Sequence, residues 1–142
     1  MKLLVSACLL GCACRYDGKG QENEAVLALL KAHTLVPVCP EQLGGLCTPR
    51  PCAERRSGRV VTADHHDVTQ AYERGAREAL RLYRTLGCEA AVLKARSPSC
   101  GSRTIYDGTF SGVRIRGEGV CAQYLRENGV RITDEEHLDE WI

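Results

Sequence analysis

The sequence predicts an α/β fold, a single three-layer domain over residues 1–142 in which a mostly parallel sheet is covered by helices on both faces. Three observations lead to this prediction. Short apolar runs, typical of strands buried on both faces, alternate with segments of helical spacing. Turn-forming residues end most of these runs. The chain of 142 residues also has the usual length of one domain with one core.

The first half of the chain begins with a predicted strand at residues 2–7, where a continuous apolar run stops at a glycine-containing loop. That loop spans residues 11–20, and helical spacing then predicts a helix at residues 22–32. A second short strand is predicted at residues 35–38. The passage at residues 40–51 is rich in glycine and proline, so we expect it to be an irregular loop.

The middle of the chain contains the longest predicted helix. Residues 59–62 are predicted to form a small strand or one arm of a hairpin. Asp67 is predicted to cap a helix that runs to about residue 86 and stops at Gly87. The third buried strand is predicted at residues 90–94, and it leads into a turn-rich loop at residues 97–101.

The last part of the chain starts with a glycine-rich segment at residues 106–119. A helix at residues 120–128 follows and stops at Gly129. A last strand is predicted at residues 130–132, and Asp134 is predicted to cap a terminal helix that ends at Trp141. Because strands alternate with helices, we expect a functional site at the carboxyl ends of the strands.

Charge and hydropathy restrict the classes of partner. The 19 basic residues nearly balance the 18 acidic ones, which leaves a net charge of +1. A broad positive field that binds a phosphate backbone is therefore not expected, and the sequence favours a small-molecule partner over a nucleic acid. No stretch approaches the ~20 consecutive apolar residues that a membrane-spanning helix needs. We expect no membrane partner.

Nine cysteines are a high and odd number for a chain of this length. A secreted disulfide framework normally has an even number in a small, loop-rich protein, so reduced thiols or metal ligands in a cytoplasmic protein are the better interpretation. No Cys-x-x-Cys pair is present, which argues against a zinc ribbon and against thioredoxin-type chemistry.

Three of these cysteines, Cys8, Cys39 and Cys100, each follow directly after a predicted strand. Loops at the carboxyl ends of parallel strands converge, and thiolates are the preferred ligands of iron-sulfur clusters. Three thiolates would leave one iron open, as substrate chemistry requires. The alternative is that all three are unrelated core thiols.

The other cysteines have less regular positions. Cys12 and Cys14 share a loop with Cys8 and are candidates for spare ligands or a resolving thiol. Loop packing is the favoured role for Cys47 and Cys52. A role as a small buried hydrophobic residue is favoured for Cys88 and Cys121.

Polar residues accompany the three strand-end cysteines. Glu41 lies two residues beyond Cys39, where it is either a general base or a solvated loop carboxylate or helix cap. Ser97 and Ser99 flank a proline before Cys100, and they either hydrogen-bond a ligand or organise the turn. Further polar residues are expected near the same rim: Arg15, Tyr16, Asp17, Arg50, Tyr106 and Asp107.

Ordered sequence motifs resemble a known family. They are SACLLG at residues 6–11, RYDG at 15–18, PVCPE at 37–41, SPSCG at 97–101 and IYDGTFSG at 105–112. These motifs are similar to those of the TudS-like thiouracil desulfidase family of bacteria, and the likeness covers nearly the whole chain.

The resemblance implies a cofactor and a reaction. The cofactor would be a [4Fe-4S] cluster bound by only three cysteines, here Cys8, Cys39 and Cys100, with one open iron. The reaction would be a non-redox, hydrolytic desulfuration of thiouracil or a related thiopyrimidine, with sulfide release. Glu41 and a serine of the third motif, Ser97 or else Ser99, would be the catalytic residues.

Three alternatives remain open from the sequence. The first is the same chemistry directed at thiouridine in transfer RNA, for which the resemblance leads us to expect an appended second domain. A non-catalytic module would store or relay sulfide on the cluster. A metal-free thiol enzyme would use Cys8 as its nucleophile, in a loop rich in backbone N–H groups.

Overall fold

The computed structural model describes residues 1–140. Its strands are β1 (Lys2–Ser6), β2 (Thr34–Val38), β3 (Ala53–Arg56), β4 (Arg59–Thr62), β5 (Ala90–Leu93), β6 (Thr104–Tyr106), β7 (Arg114–Arg116) and β8 (Ile132–Asp134). Its α-helices are α1 (Glu24–Ala28), α2 (Pro40–Leu43), α3 (Thr69–Thr85) and α4 (Val120–Glu127). Short 3-10 helices form at Ala7–Leu10, Leu29–Lys31 and Leu138–Glu140.

The central sheet has four parallel strands in the order β2-β1-β5-β8. Every residue of β5 is buried, which explains why that strand is apolar throughout and shows no alternation. The parallel order places the carboxyl ends of β1, β2 and β5 side by side. The predicted α/β fold is therefore confirmed.

Helices cover both faces of this sheet. On one face, α3 and α4 pack against residues such as Leu4 and Leu93. On the other face, α1 and the Ala7–Leu10 turn pack against Leu3 and Val5. Alternate residues of one strand thus enter two different cores, as the period of two in a strand requires.

Helix α2 crosses α3 at very short range. A Cβ atom added to Gly75 would lie 1.8 Å from the carbonyl oxygen of Pro40, and one added to Gly44 would lie 1.9 Å from that of Ala71. Only glycine allows the two backbones to approach so closely. This contact fixes the position of α2, which begins directly after Cys39.

Two antiparallel hairpins lie outside the central sheet, β3–β4 and β6–β7. The prediction at residues 59–62 matches β4, whereas β3, β6 and β7 were not predicted. Strands β6 and β7 have three residues each, too few to establish a period of two, and charged residues occupy most of the four positions of β3. Both hairpins lie beside the carboxyl ends of the parallel strands.

Several predicted boundaries are wrong. The helix predicted at residues 22–32 is a short α1 followed by a 3-10 helix, and residues 40–51 contain α2, since proline is well tolerated in the first turn of a helix. Val68, and not Asp67, is the N-cap of α3; Asp67 Oδ1 instead accepts a hydrogen bond from the Thr69 N–H at 2.9 Å.

At the end of the chain, the predicted terminal helix is replaced by a 3-10 helix at Leu138–Glu140. Asp134 belongs to β8, and its carboxylate contacts the His137 ring and the Glu136 N–H. Trp141 lies outside the described residues. No helix within residues 1–140 is both long and apolar enough to cross a bilayer.

Candidate active site

A cavity of about 510 Å³ opens at the carboxyl ends of β1, β2 and β5. Its walls come from the segments that follow these three strands and from both hairpins. This is the edge at which an open parallel sheet presents converging loops. The lining combines thiols, charged groups, a hydroxyl and aromatic rings, among them those of Cys8, Cys14, Cys39, Glu41, Glu54, Lys94, Ser97, Cys100, Tyr106 and Phe110.

The three strand-end cysteines all line this cavity. Cys8 lies in the 3-10 helix after β1, Cys39 is the N-cap of α2, and Cys100 lies in the loop after β5. Cys8 and Cys100 are buried, and Cys39 is half-buried. The structure therefore brings together three thiols that are separated by up to 92 residues, from Cys8 to Cys100.

A fourth thiol, that of Cys14, lies in the same place. It lines the cavity and is only 2% exposed, and its side chain is in hydrogen-bonding contact with those of Cys39 and Cys8. The Cys39 thiol also points to the Cys14 carbonyl oxygen at 3.7 Å. Cys12, the other candidate in this loop, is exposed, and Cys12 is not part of the cavity wall.

The surroundings of Cys39 and Cys100 raise the pKa of both thiols and so favour their protonated forms. Burial raises the pKa of the Cys100 thiol to about 12, against a smaller lowering by the Ser6 and Ser99 hydroxyls. Contact with Cys14, together with burial, raises the pKa of Cys39. A bound metal centre would supply the positive charge that converts such thiols to thiolate ligands.

Glu41 is held on both of its carboxylate oxygens. The hydroxyl of Tyr72, in the middle of α3, donates to Oε1, and Arg50 Nη2 lies 3.3 Å from Oε2. The Tyr72 side chain is buried, and burial followed by the neighbouring Glu41 charge raises the pKa of its hydroxyl. The hydroxyl therefore remains a donor to Glu41.

Arg50 connects this carboxylate to the cysteine loop. Its side chain is only 4% exposed, and Nη2 also donates to the Cys14 carbonyl oxygen at 2.9 Å. Nη1 donates to Thr48 Oγ1 at 2.9 Å and to the Cys47 carbonyl oxygen at 3.2 Å. A guanidinium with several fixed partners acts as a rigid connection between separate segments.

The two serines of the third motif have different surroundings. Ser97 lines the cavity, and its Oγ accepts hydrogen bonds from the N–H groups of Ser99 at 3.1 Å and Cys100 at 3.0 Å. Its hydroxyl hydrogen remains available to a ligand. Ser99 is fully buried and lies outside the cavity wall.

A buried ion pair closes the β5 side of the site. Lys94 Nζ lies 3.0 Å from Glu135 Oε2, and the two side chains are 12% and 6% exposed. Glu135 Oε1 also accepts from the Ala95 N–H at 2.7 Å. The Lys94 N–H donates to Ser6 Oγ at 2.9 Å, which ties the ends of β5 and β1 together.

The remaining predicted polar residues divide into two groups. Arg15, Tyr16 and Tyr106 line the cavity. Asp17 and Asp107 instead stabilise turns, through hydrogen bonds from the Lys19 N–H at 3.0 Å and the Thr109 N–H at 2.9 Å. Tyr72, Glu54 and Lys94 were not predicted as site residues. Tyr72 and Glu54 lie outside the sequence motifs, so nothing in the sequence points to their role.

The donor set fits a soft, multinuclear metal centre. Within residues 1–140, no three His, Cys, Asp or Glu side chains are arranged to hold a single metal ion, whose sulfur ligands would all lie at about 2.3 Å. The three strand-end thiols, two of them buried and that of Cys39 half-buried, nevertheless line one cavity. Cysteine thiolates on separate loops are the ligands that an iron-sulfur cluster takes.

Comparisons with known proteins agree with this arrangement. A model of the 2-thiouracil desulfurase family matches residues 3–137. The uncharacterized protein YbbK of Bacillus subtilis (strain 168) is 41% identical over 148 residues, which cover 97% of this chain and 98% of that protein. A solved structure described as [4Fe-4S]-dependent thiouracil desulfidase TudS is 45% identical and superposes with a TM-score of 0.92, covering 98% of this chain and 93% of that one.

Proposed function

The chain belongs to the 2-thiouracil desulfurase family, and on that basis we propose that it is an iron-sulfur-dependent desulfidase acting on thiouracil or a related thiopyrimidine. The observation that carries the proposal is the convergence of Cys8, Cys39 and Cys100 on one cavity, with the carboxylate of Glu41 in the same wall. The similar TudS structure is described as [4Fe-4S]-dependent.

We assign the cluster ligands to Cys8, Cys39 and Cys100. Each follows a strand of the parallel sheet, and each lines the cavity. When bound, a [4Fe-4S] cluster with three protein ligands would supply an open, Lewis-acidic iron suited to a soft thiocarbonyl sulfur. Cys14 is assigned as a neighbouring thiol, since it already contacts two of these side chains.

Glu41 is proposed to be the general base. Hydrogen bonding by Tyr72 and Arg50 leaves the carboxylate with little rotational freedom, so it can accept a proton from a water molecule held in a fixed direction. The water oxygen attacks the ring carbon of the thiocarbonyl. Carboxylate oxygens have more lone pairs than these two donors occupy, so a water can still bind.

Ser97 is proposed to orient the ring. Its oxygen is held by two backbone N–H groups, which leaves the hydroxyl hydrogen to point toward a ligand in the cavity. A donor fixed in this way can hydrogen-bond a ring oxygen or nitrogen as charge develops there. Ser99 is assigned a packing role, because it lies outside the cavity wall.

The reaction is balanced without an electron donor. One water adds to the thiocarbonyl carbon, the carbon–sulfur bond breaks, and the products are the oxo-pyrimidine and hydrogen sulfide. The proton removed by Glu41 returns to the departing sulfur or to the ring. Turnover in ¹⁸O-labelled water should therefore place one labelled oxygen in uracil, with no consumption of a reductant.

Iron and acid-labile sulfide per chain, measured after anaerobic purification, are the first test. We expect about four of each in the wild type and a large loss in Cys100→Ala. Cys121→Ala is the matched control, because Cys121 is also a fully buried thiol but lies within α4 in the core. A wild type that stays folded and metal-free after anaerobic reconstitution would overturn the cluster mechanism in favour of a Cys8 nucleophile.

Two further measurements separate the other functions. Glu41→Gln should abolish turnover of thiouracil while leaving the iron content unchanged; an unchanged rate would show that Glu41 is not the general base. A wild type that binds the cluster and converts no thiouracil would favour a sulfide-carrying module. Binding to thiolated transfer RNA in a gel-shift experiment would favour an RNA substrate. The near-zero net charge and the cavity volume of about 510 Å³ both favour the small molecule.

A further inference from the structure

The turn that joins β6 to β7 forms one wall of the cavity. Phe110 and Gly112 of this turn line the cavity, together with Tyr106 and Arg114 at the facing strand ends. Phe110 is the single phenylalanine of the sequence, yet it is 37% exposed. An aromatic ring left partly in water beside a cavity retains apolar surface that a ligand can cover.

Glu54 of β3 holds this turn in place. Its Oε1 accepts hydrogen bonds from the N–H groups of Gly108 at 3.0 Å and Phe110 at 3.1 Å. Glu54 is only 8% exposed, and it also lines the cavity. A carboxylate that accepts from two N–H groups of one turn makes charge-assisted hydrogen bonds, which are stronger than neutral ones.

The backbone of the turn is strained at the aromatic residue. Phe110 has a φ of +56°, in the left-handed region that bulky side chains rarely adopt. The turn also lies tightly against β3, since a Cβ atom added to Gly108 would be 2.8 Å from the Arg55 carbonyl oxygen. Such a conformation persists only where the surroundings enforce it, and here the Glu54 carboxylate does so.

Exposure alone does not single out Phe110 on this hairpin. Val113 and Ile115 are 50% and 45% exposed, but neither forms part of the cavity wall. Phe110 differs from them because it lines the cavity and its backbone N–H donates to a buried carboxylate. The strained backbone and the hydrogen bond to Glu54 therefore both occur at Phe110, the exposed apolar residue of this turn that lines the cavity.

We propose that Phe110 is the stacking residue for the heteroaromatic ring of the substrate, and that Glu54 is the positioning residue that aims it. This inference rests on the proposed function, because it takes the ligand to be a pyrimidine. The π face of the ring is the same whether sulfur is at position 2 or 4. Stacking on Phe110 thus contributes to binding of the ring and not to recognition of the sulfur position.

The first test compares Phe110→Leu with the wild-type holoenzyme. Leucine keeps much of the apolar volume and removes the ring face. We expect KM for 2-thiouracil and 4-thiouracil to rise by roughly tenfold or more, as base–aromatic stacking energies imply, and by similar factors. We expect kcat to change by less than about twofold, since uniform binding affects KM alone. Phe110→Tyr should restore KM, and Val113→Ala is the matched control.

The second test addresses Glu54. Glu54→Gln keeps an oxygen acceptor for the two N–H groups, whereas Glu54→Ala removes it. We expect Glu54→Ala to raise KM with little change in kcat and to speed hydrogen exchange at the amides of Gly108 and Phe110. Glu54→Gln should recover most of the wild-type KM. A loss of kcat with unchanged KM would overturn the positioning role.

The outcomes distinguish this inference from the proposed function. If the wild type converts thiouracil and Phe110→Leu keeps its KM, the stacking role is wrong while the function stands. If the wild type converts no thiopyrimidine, the proposed function is wrong. Calorimetric titration of the holoenzyme with uracil then decides the stacking role: weaker binding by Phe110→Leu supports it, and equal or absent binding in both proteins overturns it.

Discussion

The hydroxyl of Tyr72 donates a hydrogen bond to Oε1 of Glu41, although the two residues are 31 positions apart in the chain. The contact exists because Gly44 and Gly75 allow α2 and α3 to cross at van der Waals distance. Glu41 is in the first turn of α2, so the helix crossing determines where its carboxylate points. The packing of two helices thereby controls the geometry of the proposed base.

Removal of the Tyr72 hydroxyl tests this relationship directly. Tyr72→Phe keeps the buried ring and leaves Glu41 with Arg50 as its remaining partner. We expect kcat to fall by about tenfold and the free energy of unfolding to fall by roughly 1–3 kcal/mol, as for a lost hydrogen bond to a charged group. Steady-state kinetics and urea unfolding measure the two effects. Tyr124→Phe, at a tyrosine that packs on the core outside the cavity, should change neither by a comparable amount.

Arg50 is predicted to be important for stability as well as for the site. Arg50→Ala leaves the Glu41 carboxylate without its ion-pair partner and the Cys14 carbonyl oxygen without a donor. Breaking a buried pair typically costs about 3–5 kcal/mol, and urea unfolding should show a loss of this order. The surface pair of Arg59 and Asp67 is the comparison, since its side chains are 57% and 47% exposed and Arg59→Ala should cost less than about 1 kcal/mol. Equal losses in the two variants would contradict the buried role of Arg50.

The helix crossing provides a third prediction. Gly75→Ala would place a methyl group 1.8 Å from the Pro40 carbonyl oxygen, so α2 must move away from α3. We expect a loss of at least about 1–3 kcal/mol in the free energy of unfolding, the usual cost of overpacking, together with a lower kcat because Glu41 moves with α2. Arg81→Ala, at an exposed position of the same helix, should stay within about 0.5 kcal/mol of the wild type. An unchanged melting temperature in Gly75→Ala would mean that the crossing is looser than the structure shows.

Asp67 supplies a pH-dependent prediction. Hydrogen bonds from the Thr69 side chain and N–H, together with Arg59, lower the pKa of Asp67 from 3.8 to about 2. Because the folded pKa is depressed, the stabilising contribution is fully present above pH 3.8 and is lost as the pH falls through about 2. The ¹³C chemical shift of the Asp67 carboxyl should therefore titrate with a midpoint near 2. The stability difference between wild type and Asp67→Asn should be constant near neutral pH and shrink in the acid range. A midpoint near 3.8 would show that these contacts do not form in solution.

Sequence reasoning identified the architecture well because the relevant signals are local. Continuous apolar runs at β1, β2 and β5, alternating with helical spacing, are sufficient to predict a parallel sheet with helices on both faces. The family could also be recognised from the sequence, because its motifs surround the three strand-end cysteines. The match of the family model to residues 3–137 confirms this assignment. The location of Cys8, Cys39 and Cys100 followed from one rule about the carboxyl ends of strands.

Other parts of the site had no local signal. Tyr72 is one apolar position of a long amphipathic helix, and nothing in its neighbours along the chain shows that its hydroxyl reaches Glu41. Glu54 lies in a strand that lacks alternation, so neither the strand nor its contact with the Gly108–Phe110 turn was expected. Cys12 and Cys14 are equivalent by spacing, and only burial separates the exposed thiol from the one that contacts Cys39.

The sequence by itself therefore determined the fold class, the family and which cysteines end the strands, because periodicity and motif spacing are properties of neighbouring residues. Tertiary structure alone decided that Tyr72 and Arg50 hold Glu41, that Cys14 joins the three other thiols, and that Glu54 accepts a hydrogen bond from the Phe110 N–H at the cavity wall. These contacts join segments distant in the chain. Their existence depends on how closely helices and hairpins pack, which a one-dimensional pattern does not encode.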